Sequence, residues 1–539
     1  MLVIPTSRII LLKNPIEIDY LNELTFPSRQ AQFNYFYNLP KLECDNATYQ
    51  RKDEVVRFPT DPDMIGITYD DLIQYNYCMY QNNKWSDKWF YAFVKEVTFD
   101  NTGMSYVSLE TDVWQSWMFD ITFKNSFVER EHVNDDTIGI HTLPENLEMG
   151  DLVTREHAER FNDTSNFKVC FGVTETPDEN IPGEMNKNMN GIYGGLYYFV
   201  AETFNDADKI IQMYDHNSKA DSIITLFMIP SAFCNYQTHS WTMTIGETEV
   251  TATVRYIDDG DGESVYLGSV HLDIPSTIGT YTPKNNKLLT YPYMFVNATN
   301  NVGLVTPFKF EDSSYINDVT NKKAINLWVE GSLTPGISAK AIPMGYKNIQ
   351  YNYFYSLSIG KFPVCSWISD TYINWLTQNG VNTVINSIGS IAPDVINASM
   401  GSPSGFTGTV TGIFNALHQF TVAQLTPDQA KGNINSGDIN FSYQESGGLS
   451  LQLMTIKEEY AKIIDDYFSA YGYCVNTYKI PNIYGRTYWN YVKTIGCNII
   501  GDIPQGDLQK IKDMFNNGVT MWHNPSYFLD YSQNNTIIN

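Results

Sequence analysis

Between Thr371 and Pro427 lie 57 residues that carry one formal charge, Asp394. Charged residues make up 18% of the whole chain, so a stretch of this length should hold about ten. A segment this poor in charge is not written for solvation as a surface loop. It needs a partner surface, and a lone subunit exposing it would aggregate. Val381, Val384, Ile385, Ile388, Ile391, Ala392, Val395 and Ile396 recur at spacings of three, four and seven and define one helical face. Asn382, Thr383, Asn386, Ser387, Gly389 and Ser390 form an opposite face that is polar but uncharged. Gly401-Ser402-Pro403-Ser404-Gly405 is a turn. Phe406 opens a second arm, on which Val410, Ile413, Phe414, Leu417 and Phe420 repeat the stripe.

Val381 to Met400 and Phe406 to Leu425 are each 20 residues, and a helix of that length spans roughly 30 Å, about the thickness of a bilayer's hydrocarbon core. Two such arms joined by a turn can enter a membrane as a hairpin if several copies shield their Asn, Ser, Thr and Gly from lipid. An uncharged hairpin buried against neighbouring subunits of a water-soluble oligomer fits the same pattern. Pro393 kinks the first arm in either case. Both readings stay open at this point.

The rest of the chain narrows the function by exclusion. Its 35 basic and 60 acidic residues give a net charge of −25, which argues against a general nucleic-acid binder. Seven cysteines without a C-x-x-C pair speak against a disulfide scaffold or a zinc site, and buried free thiols are expected. The start lacks a signal-peptide pattern, so the sequons at Asn46, Asn162, Asn297 and Asn397 carry little weight. No run of 18 apolar residues is present, so no ordinary transmembrane helix is expected.

Most of the chain reads as strands and turns. Trp89 to Phe99 and Ser105 to Leu109 flank Asp100-Asn101-Thr102-Gly103 and predict a hairpin with a four-residue loop. Thr68 with Asp71 predicts a capping box, and Asp112 to Met118 a short helix. Tyr460, Ile463, Ile464, Tyr467 and Phe468 predict a helix over Glu458 to Ser469. Leu508, Ile511 and Phe515 predict another over Pro504 to Asn517, with Gly518 as its C-cap. Short strands are expected over Tyr488 to Ile495 and Val519 to Trp522. Gln32 to Leu39 (QFNYFYNL) returns as Gln350 to Leu357 (QYNYFYSL). Two related β domains sharing one strand would explain the echo, and so would coincidence in a chain rich in Tyr, Phe and Asn.

Catalytic and metal patterns are sparse. There is no phosphate-binding Gly loop, no H-E-x-x-H and no G-x-S-x-G. Glu131-His132 and Glu156-His157 lack a second histidine and read as strand or surface residues. Asp258, Asp259, Asp261 and Glu263 offer four carboxylates for calcium without EF-hand spacing, and an acidic hairpin tip between strands is the plainer expectation. Asp135 and Asp136 are the nearest thing to a glycosidase pair, and read as loop residues. No cofactor is expected.

Longer motifs add a resemblance. Asp87-Lys88-Trp89-Phe90-Tyr91-Ala92-Phe93-Val94, Thr111 to Asp120 (TDVWQSWMFD) and Ser126 to His132 (SFVEREH) are similar to the distal tail, or tail knob, proteins of small short-tailed phages that infect Gram-positive bacteria. Tyr471-Gly472-Tyr473, Pro481-Asn482, Asn490-Tyr491-Val492, Gly501-Asp502-Ile503, Asp513 to Gly518 and Trp522-His523 agree at the other end, and Tyr291-Pro292-Tyr293 in the middle. The match covers roughly 80–135 and 455–523 and is structural rather than catalytic.

That resemblance implies a β-rich α+β fold: tandem tail-tube-like β-barrel domains with an inserted domain and a long low-charge hydrophobic loop. The boundaries expected are 1–165 for the first tube-like domain and 166–335 for the insertion. The second tube-like domain begins at 336–370, the plug is 371–427, and 428–539 completes the domain with two helices. It further implies a non-enzymatic homohexamer at the distal end of the tail, assembled in the host cytoplasm, in contact with other tail proteins. DNA would pass through its lumen without specific binding, because a negative wall repels phosphates. The low-charge loops would close the tube and leave it to penetrate the host membrane. The insertion here has fewer Gly, Ala and Met runs and more Asn than the resemblance leads one to expect. The alternative is a receptor-binding or wall-degrading tail protein that holds or cuts glycans with exposed aromatics and paired acids.

Overall fold

The computed structural model describes residues 7–47, 50–60, 67–82, 88–160, 167–181, 188–189, 192–193, 195–257, 265–300, 303–332, 338–359, 364–368, 433–434 and 449–538. The segment 371–427 and the four carboxylates of 258–263 lie outside them. Among the described residues six α-helices accompany a much larger number of strands: α1 (Arg29–Tyr37), α2 (Tyr69–Leu72), α3 (Val113–Trp117), α4 (Phe204–His216), α5 (Glu458–Tyr471) and α6 (Gln505–Asn517). The fold is β-rich, as the residue pattern predicts. None of the described helices is long and apolar enough to cross a membrane.

The chain forms two compact units. One gathers 1–149, 281–288 and 458–539; the other gathers 150–280 and 289–457. In the first, a six-stranded antiparallel sheet runs in the order Lys41–Ala47, Ser7–Leu12, Tyr77–Asn82, Phe90–Asn101, Met104–Thr111, Val55–Pro59. The run Ile9-Ile10-Leu11-Leu12 has no polar face because the strand is buried on both sides. Ile9 and Leu11 join Val56, Phe58, Cys78 and Val107 on one face, and Ile10 and Leu12 join Phe36, Tyr77, Trp489 and Trp522 on the other. The predicted hairpin is present with a tighter turn: the ladder continues to Asn101 opposite Met104, and Gly103 N donates to Asn101 Oδ1 (2.9 Å).

A five-stranded sheet joins the two ends of the chain. Its order is Asn22–Leu24, Val519–Trp522, Trp489–Ile495, Ser126–Glu131, Tyr473–Lys479. Asn22–Leu24 runs parallel to Val519–Trp522, with Leu24 opposite Trp522. Thr25 N donates to Trp522 O (2.8 Å), and Trp114 Nε1 donates to Leu24 O (3.0 Å).

The predicted capping box and glycine C-cap hold. Thr68 and Asp71 form the capping box of α2, Asp112 caps α3 by accepting from Gln115 N (3.0 Å), and Gly518 ends α6 at φ +93°. Leu508, Ile511 and Phe515 are buried. On α5 the buried face is rotated from the expected one. Ala461, Ile464, Asp465 and Phe468 are inside, while Ile463 is 66% exposed. Asp465 is buried because it holds the segment 281–288. It accepts from Tyr281 OH (2.7 Å), Lys284 N (2.6 Å) and Asn285 N (3.1 Å).

Two expectations are corrected. The octapeptide echo is not a shared strand: Gln32 to Tyr37 lies in α1, whereas Gln350 to Leu357 spans the strand end at Tyr351, a 3-10 turn Tyr353–Tyr355 and the start of the strand Leu357–Ile359. Ser28 caps α1 and Phe36 anchors it in the core, so tertiary burial overrides the strand preference of Tyr and Phe in this string. Likewise, the strands beside 258–263 do not pair with each other. Thr248–Ile257 pairs with Cys234–Ile245 and Tyr197–Ala201, while Val265–Asp273 pairs with Ala324–Ser332 in another sheet. Leu267, Val270 and Leu272 find their burial there.

Of the seven cysteines, Cys78, Cys170, Cys234 and Cys497 are buried free thiols, Cys474 is a partly exposed free thiol, and Cys44 is partly exposed.

Candidate functional site

The residues flanking the low-charge segment are strands of one sheet in the second unit. Its order is Cys234–Ile245, Thr248–Ile257, Tyr197–Ala201, Phe167–Val173, Ile223–Pro230, Val364–Ile368, Asn433–Ile434, antiparallel throughout. Val364–Ile368 lies on Ile223–Pro230, with Thr225 opposite Ile368 and Leu226 opposite Trp367. Asn433–Ile434 returns beside it, with Trp367 opposite Ile434 and Ile368 opposite Asn433. The 64 residues from 369 to 432 therefore leave and rejoin the sheet at one place, on a two-stranded stem. All of the expected plug positions, from Val381 to Phe420 and including Asp394, lie within this excursion and outside the described residues.

The sheet behind the stem is tightly built. Ile223–Pro230 (IITLFMIP) reads as an apolar run, and Leu226, Phe227, Met228 and Ile229 are buried. Gly172 is required beside it: a Cβ there would stand 2.5 Å from Thr225 Cγ2 and 3.0 Å from the Tyr198 ring. Helix α4 buries Ala207, Ile210, Ile211 and Tyr214, and its capping box of Thr203 and Asp206 fixes its start. Asp206 also accepts from Thr253 N (3.2 Å), which ties the cap to the sheet. Glu202 takes both Arg255 and Lys168, linking three adjacent strands. Burial pulls its pKa up, but those two cations outweigh burial and hold it below the usual carboxylate range.

The acids considered for glycan cleavage have structural partners. Asp135 is exposed and accepts from Thr137 N (2.9 Å) and Oγ1 (2.6 Å). Asp136 is largely buried and accepts from Tyr473 OH (2.6 Å) and Asn286 N (2.9 Å); burial raises its pKa, and those two donors act against the rise. Glu131 ends a strand and accepts from Lys479 Nζ (2.5 Å) and Asn482 N (3.0 Å). His132 is buried between Tyr491 N and Ser469 O. Glu156 and His157 lie on the exposed strand Leu152–Arg160. Among the described residues no group of three or more His, Cys, Asp and Glu is arranged to hold a metal ion.

Sequence reasoning missed the stem and Gly172. The signal for the first was there: the apolar run Val364-Cys365-Ser366-Trp367-Ile368 stands immediately before the loss of charge.

Residues 5–124 match the family model of the caudoviral major tail protein N-terminus. Residues 265–536, half of the chain, match the model of the C-terminal domain of tail knob protein gp9 of Bacillus phage phi29, and the chain belongs to that family of structural tail components. The tail knob proteins gp9 of Bacillus phages B103 and phi29 are each 28% identical to it, over 97% of both chains for B103 and 96% of both for phi29. The solved structure of the bacteriophage C1 tail knob protein gp12 shares its fold at a TM-score of 0.66 and 16% identity, covering 99% of this chain and 100% of that one.

Proposed function

We propose that six copies of this chain form the distal tube of a phage tail, that DNA passes through its lumen, and that the low-charge segments close the tube until they are released into the host membrane. The observation that carries this reading is the stem. A segment with one charge in 57 residues leaves and rejoins the sheet at the paired residues Ile368 and Asn433, so it can change surroundings without unpicking the fold that bears it. The family membership supports the place in the virion and contact with other tail proteins. The net charge supports the conduit: six chains at −25 sum to −150, a field that keeps phosphates from adhering to a wall.

The plug face is assigned to Val381, Val384, Ile385, Ile388, Ile391, Val395 and Ile396 on one arm, and to Phe406, Val410, Ile413, Phe414, Leu417 and Phe420 on the other. Neighbouring copies would supply the surface that hides them. The deciding experiment deletes 381–425 in the phage. Virions assemble and adsorb but do not deliver DNA. Normal infectivity of the deletion would end the plug role, and an image of the assembly down its axis tests the six-fold symmetry separately.

A further inference from the structure

The first unit contains a pocket of about 220 Å³ that the conduit reading does not use. Its floor is Arg486, Asp136 and His132, and its rim includes Lys284, Gln533 and Asn534, with Tyr531 on the wall. Every one of these belongs to the unit that lacks the low-charge segment, so the argument stands apart from the plug.

The floor is rigid and incompletely satisfied. Arg486 is only 8% exposed, and its two terminal nitrogens are taken by Val133 O (3.0 Å) and Asn535 O (3.3 Å). Its Nε is buried with no acceptor among the described residues. Asp136 is pinned by Tyr473 OH and Asn286 N, yet each carboxylate oxygen keeps a lone pair. His132 spends both ring nitrogens on backbone groups, and contributes shape rather than charge. At the rim, Gln533 donates to Asp530 Oδ2 (2.8 Å), which leaves its carbonyl oxygen to accept.

The lining thus mixes donors (Arg486, Lys284, the amide of Asn534) with acceptors (Asp136, the amide oxygens), and offers one aromatic wall. A simple anion would meet Asp136 unfavourably, and an apolar ligand would strand the polar groups. Groups that donate and accept at once satisfy both sets, and hydroxyls do this. The volume is below the 300–1,000 Å³ of drug-sized sites, which limits the occupant to about one ring. We infer that this pocket, between Arg486 and the 533–534 rim, is a binding site for a hydroxyl-rich ligand the size of a single pyranose, held by Asp136 and the rim amides against the Arg486 side chain.

The test uses the full chain and three probes: methyl glucoside, N-acetylglucosamine and glucuronate, titrated by saturation-transfer NMR. Saturable binding in the millimolar range is expected for at least one. Gln533→Ala with Asn534→Ala should weaken it about tenfold, the loss of two net hydrogen bonds, with the melting temperature unchanged because both residues sit at the rim. Arg486→Lys should also weaken binding, but it removes a structural bond to Val133, so the rim variant decides. Absence of saturable binding by all three sugars leaves ordered water as the occupant and overturns the inference. Undiminished binding in the rim variant overturns it as well.

Discussion

Ile368 and Asn433 face each other in an antiparallel ladder, although 64 residues separate them along the chain. Chain closure over so long a loop is entropically unfavourable but grows only logarithmically with length. Replacing 369–432 by an eight-residue Gly/Ser loop shortens it by three doublings, which favours the folded state by about 2 kcal/mol. The shortened protein should fold with an equal or higher melting temperature by calorimetry. An insoluble product with no cooperative transition would mean that the segment is part of the core.

Gly172 faces Thr225, the residue opposite Ile368 in the stem's neighbouring strand. Gly172→Ala places a methyl 2.5 Å from Thr225 Cγ2 and should destabilise by about 1–3 kcal/mol through overpacking. Adding Thr225→Ser removes that carbon and should recover part of the loss. A Gly172→Ala protein with wild-type denaturant midpoint would refute the close packing.

One buried histidine, His132, and one half-buried, His523, set an acid limit. His132 is held neutral, accepting from Tyr491 N (2.8 Å) and donating from Nε2 to Ser469 O (3.0 Å). Burial, then the charges of Arg486 and Arg130, push its pKa down to about 3, and burial pushes that of His523 down to about 4. Both are depressed below the unfolded value of about 6.5, so the unfolded chain binds more protons. Their stabilisation is complete above pH 6.5 and is lost as pH falls from there toward 3. The unfolding free energy should decline across that window, by up to about 1.4 kcal/mol per pH unit for each histidine, and the melting temperature should fall with it. His132→Gln should flatten the decline by one proton's worth; an unchanged slope would exclude His132.

Glu23 and Asp112 act in the opposite direction. Both are fully buried and share Gln115, which gives its backbone N to Asp112 (3.0 Å) and its Nε2 to Glu23 (3.1 Å). Asp19, Tyr20 and Tyr77 are the other titrating groups that bear on them. Burial raises Asp112 to about 6 against the pull of Tyr77 and Gln115, and burial followed by Asp112 raises Glu23. Here the folded state holds more protons, so stability from this pair is present at low pH and is lost as pH rises through about 6. Glu23→Gln removes one ionisation at little change in shape. It should raise the melting temperature at about pH 8 and leave it unchanged near pH 4. A loss of stability at pH 8 would mean that the carboxylate is needed in its charged form.

Asp394 is the one charge of the low-charge segment. Placing an ionised carboxylate at the centre of a bilayer costs roughly 2.5–3.5 kcal/mol on insertion scales, and protonation removes most of that. Leakage of liposomes by the protein should rise as pH falls, and Asp394→Asn should make it independent of pH. Leakage without pH dependence in the parent protein would take Asp394 out of the membrane step.

Local chemistry was legible wherever a signal acts within a few residues. The capping box at Thr68, the short helix after Asp112, the α6 stripe with its Gly518 stop and the Phe90–Thr111 hairpin are all set by bonds or burial between near neighbours, and all are present. Where the partner is distant, the same signals failed. The stripe on α5 did not foretell that Asp465 would be buried instead of Ile463, because its donors come from 281–285. The echoed octapeptide is an α-helix once and a 3-10 turn between two strand ends once, because the surrounding core overrides the strand preference of Tyr and Phe.

The sequence by itself determined that this chain is β-rich, acidic, and interrupted by a stretch almost without charge, since composition and short-range periodicity are properties of the string. Only the tertiary structure decided that Leu24 lies beside Trp522, that the strands next to 258–263 part company, and that Ile368 meets Asn433. Each of those is a hydrogen-bonded pairing across a long loop, and backbone amides carry no label by which the sequence could announce their partner.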